Sequence, residues 1–279
     1  MRIIRTLLIV FTIAAVVVFG ISELIEFTNR DTTKPQITAE TDTIEVTSEY
    51  TREDLLEGIF AWDEKEGDLT DQVVISSLSR FIDKGVCNLT YVVFDSSNQS
   101  ASLTRKVKFT DYHSPRFTLS EPLVFREGEG TYDEVLSRVG AEDILDGDRK
   151  DWMIRTDSDV NFQTQGAYTI TFEVGNSFGD TVSAALPVHV VPAASQGVKI
   201  SLSANIVYIT AGQGLDPKAY IAGVTASNGS GIDPASVTIV SGVDTNTPGC
   251  YEVSYQAADA FGNYGETWLT VIVEDGGGA

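Results

Sequence analysis

The chain has 279 residues, which is enough for two or three small domains. It carries 40 acidic against 19 basic residues, and this balance argues against nucleic acid or an anionic lipid surface as a partner, since both need clustered Lys and Arg. Two Cys and two His are too few for a structural zinc site.

An apolar segment opens the chain and predicts a membrane anchor or a signal peptide. Arg2 and Arg5 precede an uncharged run, residues 6–22, that is rich in Leu, Ile and Val. This run is slightly short for the roughly twenty residues of a spanning helix, and Val18-x-Gly20 is a weak cleavage site. In both cases the basic residues stay in the cytoplasm and the rest is exported. We favour a single-pass anchor with an extracellular C-terminal part over secretion after cleavage.

One pattern with a period of about eighty residues then occurs three times, at Gly85, Gly166 and Gly249. Behind each Gly, every second residue is apolar, and a further strand follows at a fixed distance. Strict alternation places one set of side chains on a buried face, as in an antiparallel strand of a two-layer β-domain. The Tyr two residues after the Gly (Cys87 in the first copy) is placed to satisfy backbone at a corner of such a domain.

Shorter predicted elements precede each copy. Two short strands come first, a helical stretch follows in the first two copies (52–56 and 132–139), and an acidic loop and a short strand come next. Six or seven short strands in some eighty residues indicate an immunoglobulin-like sandwich. The fold class predicted is therefore all-β, with three tandem immunoglobulin-like β-sandwich domains in an elongated array behind one N-terminal hydrophobic helix.

The predicted boundaries follow the copies and the joints between them. They are a signal peptide or anchor at 1–27, a linker at 28–34, repeats at 35–112, 113–192 and 198–275, a linker at 193–197 and a flexible tail at 276–279.

Two motifs give the chain a resemblance to a known class of domain. These are Glu66-Gly-Asp-Leu-Thr70, echoed by Asp146-Gly-Asp148, and the run from Gly249 to Asn263. Together they resemble the immunoglobulin-like, cadherin-like repeats of exported bacterial surface proteins. The resemblance covers nearly everything after residue 34 and implies a surface location and a spacer, adhesion or appended-module role.

The acidic loops are the candidate metal sites. The first carries Asp63, Glu66, Asp68 and Asp71, and the second carries Asp143, Asp146, Asp148 and Asp151. Hard oxygen ligands bunched on a loop with Gly at its turn are what calcium requires. The alternative, which we favour, is that these Asp side chains cap turns by accepting backbone N–H bonds. Aligned on Ala61, Ala141 and Ala226, the third loop has Asn228 in place of the first Asp.

Other residues that could carry chemistry give little support for catalysis. His113 and His189 are predicted to be surface histidines, and Cys87 and Cys250 to be small buried hydrophobes. The chain contains no Gly-x-Ser-x-Gly elbow, phosphate loop or His-Glu-x-x-His motif. Trp62, Trp152 and Trp268 stand at different positions of the three repeats, which favours separate packing roles over a shared sugar platform.

The sequence therefore predicts a non-enzymatic surface protein without a cofactor, calcium being the possible exception. It would be anchored in the membrane through residues 6–22 and serve adhesion, spacing or presentation, with a protein or a cell-surface polymer as partner. The alternatives are a glycan-binding or cell-wall-binding module and an accessory subunit of a larger surface complex.

Overall fold

A computed structural model of the chain describes residues 2–29, 32–192 and 197–276. It is mostly β, with 47% of residues in strands and 18% helical, and this confirms the predicted all-β class behind one N-terminal apolar helix. The chain divides into two compact units, Met1–Asp111 (the first unit) and Tyr112–Ala279 (the second unit). The linker predicted at 193–197 lies outside the described residues except for Gly197, and so does the tail beyond residue 276.

The first unit begins with one long helix, α1 (Arg2–Asn29). The helix continues two residues beyond the predicted limit at residue 27. Within it, Ile3–Leu24 has a mean hydropathy of 2.5 and none of its residues is buried. This segment is long and apolar enough to cross a membrane, and a signal sequence near an N-terminus meets the same criteria.

The remainder of the first unit forms two sheets, which we call the first sandwich. Its elements are β1 (Gln36–Ala39), β2 (Thr43–Val46), α2 (Arg52–Leu56), β3 (Ile59–Asp63), β4 (Gly67–Asp68), β5 (Val74–Asp83), β6 (Val86–Phe94) and β7 (Ser100–Phe109). The strand orders are β1-β3-β4 and β2-β7-β6-β5, and β2 runs parallel to β7.

The second unit repeats this arrangement in a middle and a last sandwich. The middle sandwich contains β8 (Arg116–Leu119), β9 (Val124–Arg126), α3 (Tyr132–Arg138), β10 (Val139–Asp143), β11 (Gly147–Asp148), β12 (Ile154–Ser158), β13 (Gly166–Gly175) and β14 (Thr181–Val191). The last sandwich contains β15 (Lys199–Leu202), β16 (Ile206–Thr210), β17 (Ile221–Thr225), β18 (Thr238–Ser241), β19 (Gly249–Ala258) and β20 (Tyr264–Glu274). In both, the second strand pairs in parallel with the last one.

Both predicted helical stretches are confirmed as α2 and α3, although α3 ends at Arg138 and Val139 already begins β10. Each starts with a capping box, in which the N-cap Thr accepts from the backbone N–H three residues on and the acid there accepts in return. The pairs are Thr51 with Asp54 and Thr131 with Glu134. Local sequence thus fixes where these short helices begin, and the buried Leu55 and Val135 pack them onto the sandwiches.

The alternating pattern buries most of the side chains that it predicted to be inside, with Tyr168 and Tyr251 half-buried. In β6 the inward set is Cys87, Leu89, Tyr91 and Val93, all fully buried. The predicted corner tyrosines are also confirmed in the second unit: the Tyr168 hydroxyl donates to the Thr164 carbonyl at 2.8 Å, and the hydroxyl of Tyr251 donates to the Thr247 carbonyl at 3.0 Å.

Candidate functional site

The acidic loop of each of the first two sandwiches lies against the turn between the last two strands of that sandwich. In the first unit, a carboxylate oxygen of Glu66 accepts from the backbone N–H of Ser96 at 2.8 Å and from its hydroxyl. In the second unit, Asp146 accepts from the N–H and the hydroxyl of Ser177 at 2.6 and 2.8 Å. Two loops far apart in sequence are thereby joined at one end of each sandwich.

Asp63 and Asp143 form the turns that lead out of β3 and β10. Asp63 Oδ1 accepts from the backbone N–H groups of Lys65 and Glu66 at 2.8 and 3.1 Å. Asp143 Oδ1 accepts from those of Leu145 and Asp146 at 2.9 and 3.0 Å. Both side chains are buried, so these bonds offset part of the cost of removing a carboxylate from water.

The outer carboxylates of the loops are exposed. Asp68 and Asp148 each accept from the backbone N–H two residues on, at 2.9 and 2.8 Å. The hydroxyl and backbone N–H of Thr70 hold the pKa of Asp68 below its ordinary value. Asp71 and Asp151 lie on short 3-10 turns, Thr70–Gln72 and Lys150–Trp152, and point into solvent. These four carboxylates therefore lie at the surface of their loops, whereas Asp63 and Asp143 are buried.

The structure does not gather the eight predicted ligands into a metal centre. Within residues 2–29, 32–192 and 197–276, no three of the His, Cys, Asp and Glu side chains are placed to hold a metal ion together. Calcium bound by the whole of either loop therefore stays a prediction.

The turn opposite each loop supplies a polar residue that the sequence analysis did not single out. In the second unit this is Asn176, whose Nδ2 donates to Asp143 Oδ2 at 3.1 Å and to the Tyr112 hydroxyl at 2.8 Å. The Tyr112 hydroxyl in turn donates to Asp180 at 2.7 Å. Burial, followed by the bond to Asp180, raises the pKa of Tyr112 well above its ordinary value.

In the first unit the same position holds Asp95, a second carboxylate. Asp95 Oδ1 accepts from the backbone N–H of Gln99 at 2.7 Å, as Asn176 Oδ1 accepts from that of Asp180 at 3.0 Å. Asp63 is 0% exposed and Asp95 is 6% exposed. The signal that could have identified this pair was in the sequence, since Asp95 and Asn176 align in the three-copy pattern.

The third loop requires a correction of the alignment. Ile200 of β15 pairs with Val224, as Ile37 of β1 pairs with Ala61, so Ala226 stands where Asp63 and Asp143 stand. The predicted match of Ala226 with Ala61 was wrong by two residues. The facing turn residue there is Asp259, which accepts from the Ser227 hydroxyl at 2.6 Å. That bond, with others from Asn263 and Phe261, holds the pKa of Asp259 far below its ordinary value.

An aromatic face lies on the outside of the β1-β3-β4 sheet. Phe60 and Trp62 alternate with buried residues of β3 and are 50% and 52% exposed. Gln36 of β1 and Asp68 of β4 flank Trp62, and Thr38 flanks Phe60. The corresponding positions of β10 are Gly140 and Glu142, so the middle sandwich has no such face.

The prediction that His189 is a surface residue was wrong. It is 7% exposed, its ring stacks on Trp268 at 3.8 Å between centroids, and its Nε2 lies 2.7 Å from a carboxylate oxygen of Glu252. It sits at the contact between the middle and last sandwiches, which lies within the second unit. The alternation in β14 breaks there because residues 188–191 are all buried.

Polar contacts join the same two sandwiches at a second place. Arg116 forms an ion pair with Glu274 at 2.6 Å, and its guanidinium lies 4.9 Å from the centre of the Tyr208 ring. The Tyr208 hydroxyl accepts from the backbone N–H of Phe117 at 2.6 Å and lies 3.1 Å from its carbonyl oxygen. Burial raises the pKa of Tyr208 well above its ordinary value, which keeps this hydroxyl protonated.

Comparison with known proteins finds similarity without a family assignment. No family model matches the chain. It is 30% identical over 219 residues to the pesticidal crystal protein Cry22Aa of Bacillus thuringiensis, covering 76% of this chain and 29% of that protein. It is 32% identical over 147 residues to an uncharacterized 81.3 kDa protein of Acholeplasma phage L2, covering 52% of this chain and 20% of that protein. The chain thus spans less than a third of either curated relative.

Solved structures with similarity include bacterial and animal proteins. One is the M60 catalytic domain with the CBM51-1 and CBM51-2 domains of Clostridium perfringens ZmpB, at 16% identity and a TM-score of 0.24, covering 88% of this chain and 31% of that one. Another is mouse cadherin-23 EC22-24, at 14% identity and a TM-score of 0.21, covering 87% of this chain and 99% of that one.

Proposed function

We propose that the chain is a non-enzymatic protein of the bacterial cell surface. Its sandwiches lie outside the cell, held at the membrane by α1, and serve as an adhesion, spacer or presentation module for a protein or polymer partner. The observation that carries this proposal is the run Ile3–Leu24, in which every residue is exposed and the mean hydropathy is 2.5. An apolar surface of this length requires a lipid or protein environment.

The relatives support a modular role. The chain resembles parts of a crystal protein and of a phage protein, and it covers only 29% and 20% of them. A segment that recurs as a minor part of two different proteins is expected to supply a reusable scaffold, with function located in specific surface sites.

Membrane fractionation of the full chain tests the anchor. Wild-type protein should stay with membranes through a carbonate wash, and external protease should digest the sandwiches of intact cells. Val16→Arg, which costs about 2.5–3.5 kcal/mol at a helix centre, should weaken retention. A shortened protein beginning near Ile21 in the medium would identify a signal peptide. Sandwiches that resist external protease on intact cells but are digested once the cells are lysed would exclude export.

A glycan-binding role is the second candidate, and the aromatic face favours it. The exposed rings of Phe60 and Trp62 offer a flat apolar surface with the polar side chains of Gln36, Thr38 and Asp68 beside it. Binding of the full chain to purified cell-wall polysaccharide should fall at least tenfold in Trp62→Ala, about 1.4 kcal/mol. Trp152→Ala is the control, because Trp152 is even more exposed than Trp62 but lies under the Arg149 guanidinium in the second unit. Equal losses in both variants, or none, would reject this role.

A further inference from the structure

We propose that Asp63 and Asp95 form a binding site for a divalent cation of the calcium type in the first unit. This proposal is independent of the proposed function. Each carboxylate uses Oδ1 to hold its own turn, as described above. Each also has an Oδ2 that is fully buried, and among the residues described by the structure no hydrogen-bond donor reaches either atom. Two buried carboxylate oxygens without a partner are costly unless a cation or proton joins them.

The second unit fixes where these oxygens lie. Asp63 Oδ1 and Asp143 Oδ1 make the same two turn bonds, so the two Oδ2 atoms are equivalent. Asp95 Oδ1 and Asn176 Oδ1 likewise accept from the N–H four residues on. Asp95 Oδ2 therefore stands in the place of Asn176 Nδ2, which is 3.1 Å from Asp143 Oδ2. Where the second unit has an amide donor facing a carboxylate, the first has two carboxylates.

A second substitution removes positive charge from the same corner. Arg149 follows the second acidic loop, where its guanidinium lies 3.5 Å from Asp146 and donates to the Gly175 carbonyl at 2.8 Å. Leu69 takes this place in the first unit, since its N–H bonds Ala61 as that of Arg149 bonds Ala141. At this corner the first unit thus has a carboxylate where the second unit has an amide, and an alkyl group where the second unit has a guanidinium.

The chemistry of the pair selects the ion. Carboxylate oxygens are hard ligands, which suit calcium and magnesium rather than softer metals. Two protein carboxylates leave most of the coordination shell to water or backbone carbonyls, and calcium tolerates such irregular shells better than magnesium does. The expected dissociation constant is in the range of about 10⁻⁴–10⁻³ M that is typical of extracellular calcium modules.

Hydrogen exchange of the full chain in detergent micelles tests the site peptide by peptide. Calcium should slow exchange in peptides covering residues 59–72 and 91–102 by the factor 1 + [Ca²⁺]/Kd, about tenfold when calcium is about nine times Kd. Peptides covering residues 139–152 and 172–183 should change less than twofold, because Asn176 already completes that corner. Potassium chloride at equal ionic strength should leave both regions unchanged.

Asp95→Asn is the decisive variant because it copies the natural pair of the second unit. It should remove the calcium response and, with chelator present, exchange no faster than wild type. Asp68→Asn is the matched control, since Asp68 is exposed and should keep the full response. The proposal is overturned if Asp95→Asn still responds to calcium, if both units respond alike, or if wild type does not respond at about 10 mM calcium. Protection that instead increases on lowering the pH of the calcium-free protein would assign the bridge to a proton and also overturn it.

Discussion

The first unit and the second unit place different residues at one inward position of their last long strands. Arg105 of β7 faces Leu89, whereas Leu186 of β14 and Leu269 of β20 hold the same position opposite apolar neighbours. Arg105 is nevertheless only 5% exposed. Its guanidinium donates to the Glu57 carbonyl at 2.6 Å and to the Thr41 hydroxyl at 2.8 Å.

The difference shows that backbone acceptors nearby decide whether an inward position can hold a charge. Glu57 is the C-cap of α2, and helix ends leave carbonyl groups without partners inside the helix. Arg105 satisfies one of these groups while its alkyl stem fills the sandwich, as long cationic side chains can do. At this position the interior of the first unit is therefore more polar than that of the second, which has a buried leucine in each sandwich.

The largest expected effect comes from truncating this arginine. Arg105→Ala should lower the free energy of unfolding of the first unit by about 3 kcal/mol, because a cavity opens and two acceptors lose their donor. Arg105→Leu, which copies the second unit, should recover part of the loss. Hydrogen exchange of residues 59–109 in the full chain measures both. The proposed role of the backbone acceptors is contradicted if Arg105→Ala and Arg105→Leu destabilise the first unit equally, or if Leu186→Arg does not destabilise the second unit.

The two thiols, the buried Cys87 of the first unit and the half-buried Cys250 of the second, link stability to alkaline pH. Burial raises the pKa of Cys87 to about 11, and burial followed by the charge of Glu252 raises the pKa of Cys250 to about 12. A pKa raised in the folded state means that the stabilisation is complete below the ordinary value of 9.0 and is lost as pH rises towards 11. The loss in the first unit should reach about 2–3 kcal/mol.

Cys87→Ala isolates this effect from the tyrosines that titrate in the same range. The variant should lose less stability than wild type between about pH 9 and 11 in denaturant melts of the full chain. Native thiols should also resist alkylation at about pH 8, since only the thiolate is nucleophilic. Rapid modification of Cys87 in the folded protein would contradict its burial.

Sequence alone could predict those parts of the fold that depend on local patterns. The alternation at Tyr168 and Tyr251, the helical stretch at 52–56 and the apolar run of α1 were all readable. The fate of His189 was not, because the second contact face of β14 exists only once the last sandwich packs on it. The repeat pattern shows Asp95, but it does not show that Asp95 faces Asp63, because only the fold brings together the two loops that carry these residues.

The contact between the middle and last sandwiches provides the next test. His189→Ala removes a ring stacked on Trp268 and a bond to Glu252, so it should cost the second unit about 2 kcal/mol. The first unit should be unaffected in the same hydrogen-exchange experiment. His113→Ala is the matched control, because His113 is half-buried and its Nδ1 lies 2.9 Å from the carbonyl oxygen of the neighbouring Ser114. A loss in the control as large as that in His189→Ala would assign the effect to histidine removal in general.

The smallest expected effect comes from removing a corner tyrosine hydroxyl, which the second unit has and the first unit lacks. Tyr168→Phe leaves the ring in place and removes only the bond to the Thr164 carbonyl, which should cost about 1 kcal/mol. Tyr251→Phe should cost the same, since its hydroxyl makes the equivalent bond to Thr247. Cys87 holds this position in the first unit and pairs with Val107 as Tyr168 pairs with Val188. A different tyrosine of the first unit, Tyr91, makes a hydroxyl bond to backbone: it donates to the Leu55 carbonyl at 2.5 Å.

Tyr91→Phe therefore supplies the counterpart in the first unit. Tyr91 is fully buried, so the Leu55 carbonyl would lose its donor away from water, and the cost should exceed that of Tyr168→Phe, whose surroundings are wetter. Tyr255→Phe offers the same comparison inside the second unit, because its hydroxyl donates to the Pro217 carbonyl at 2.8 Å. Chemical denaturation of the four variants ranks them. If the two corner tyrosines cost more than the two buried ones, the hydroxyl at the corner, and not burial, determines the stability of these sandwiches.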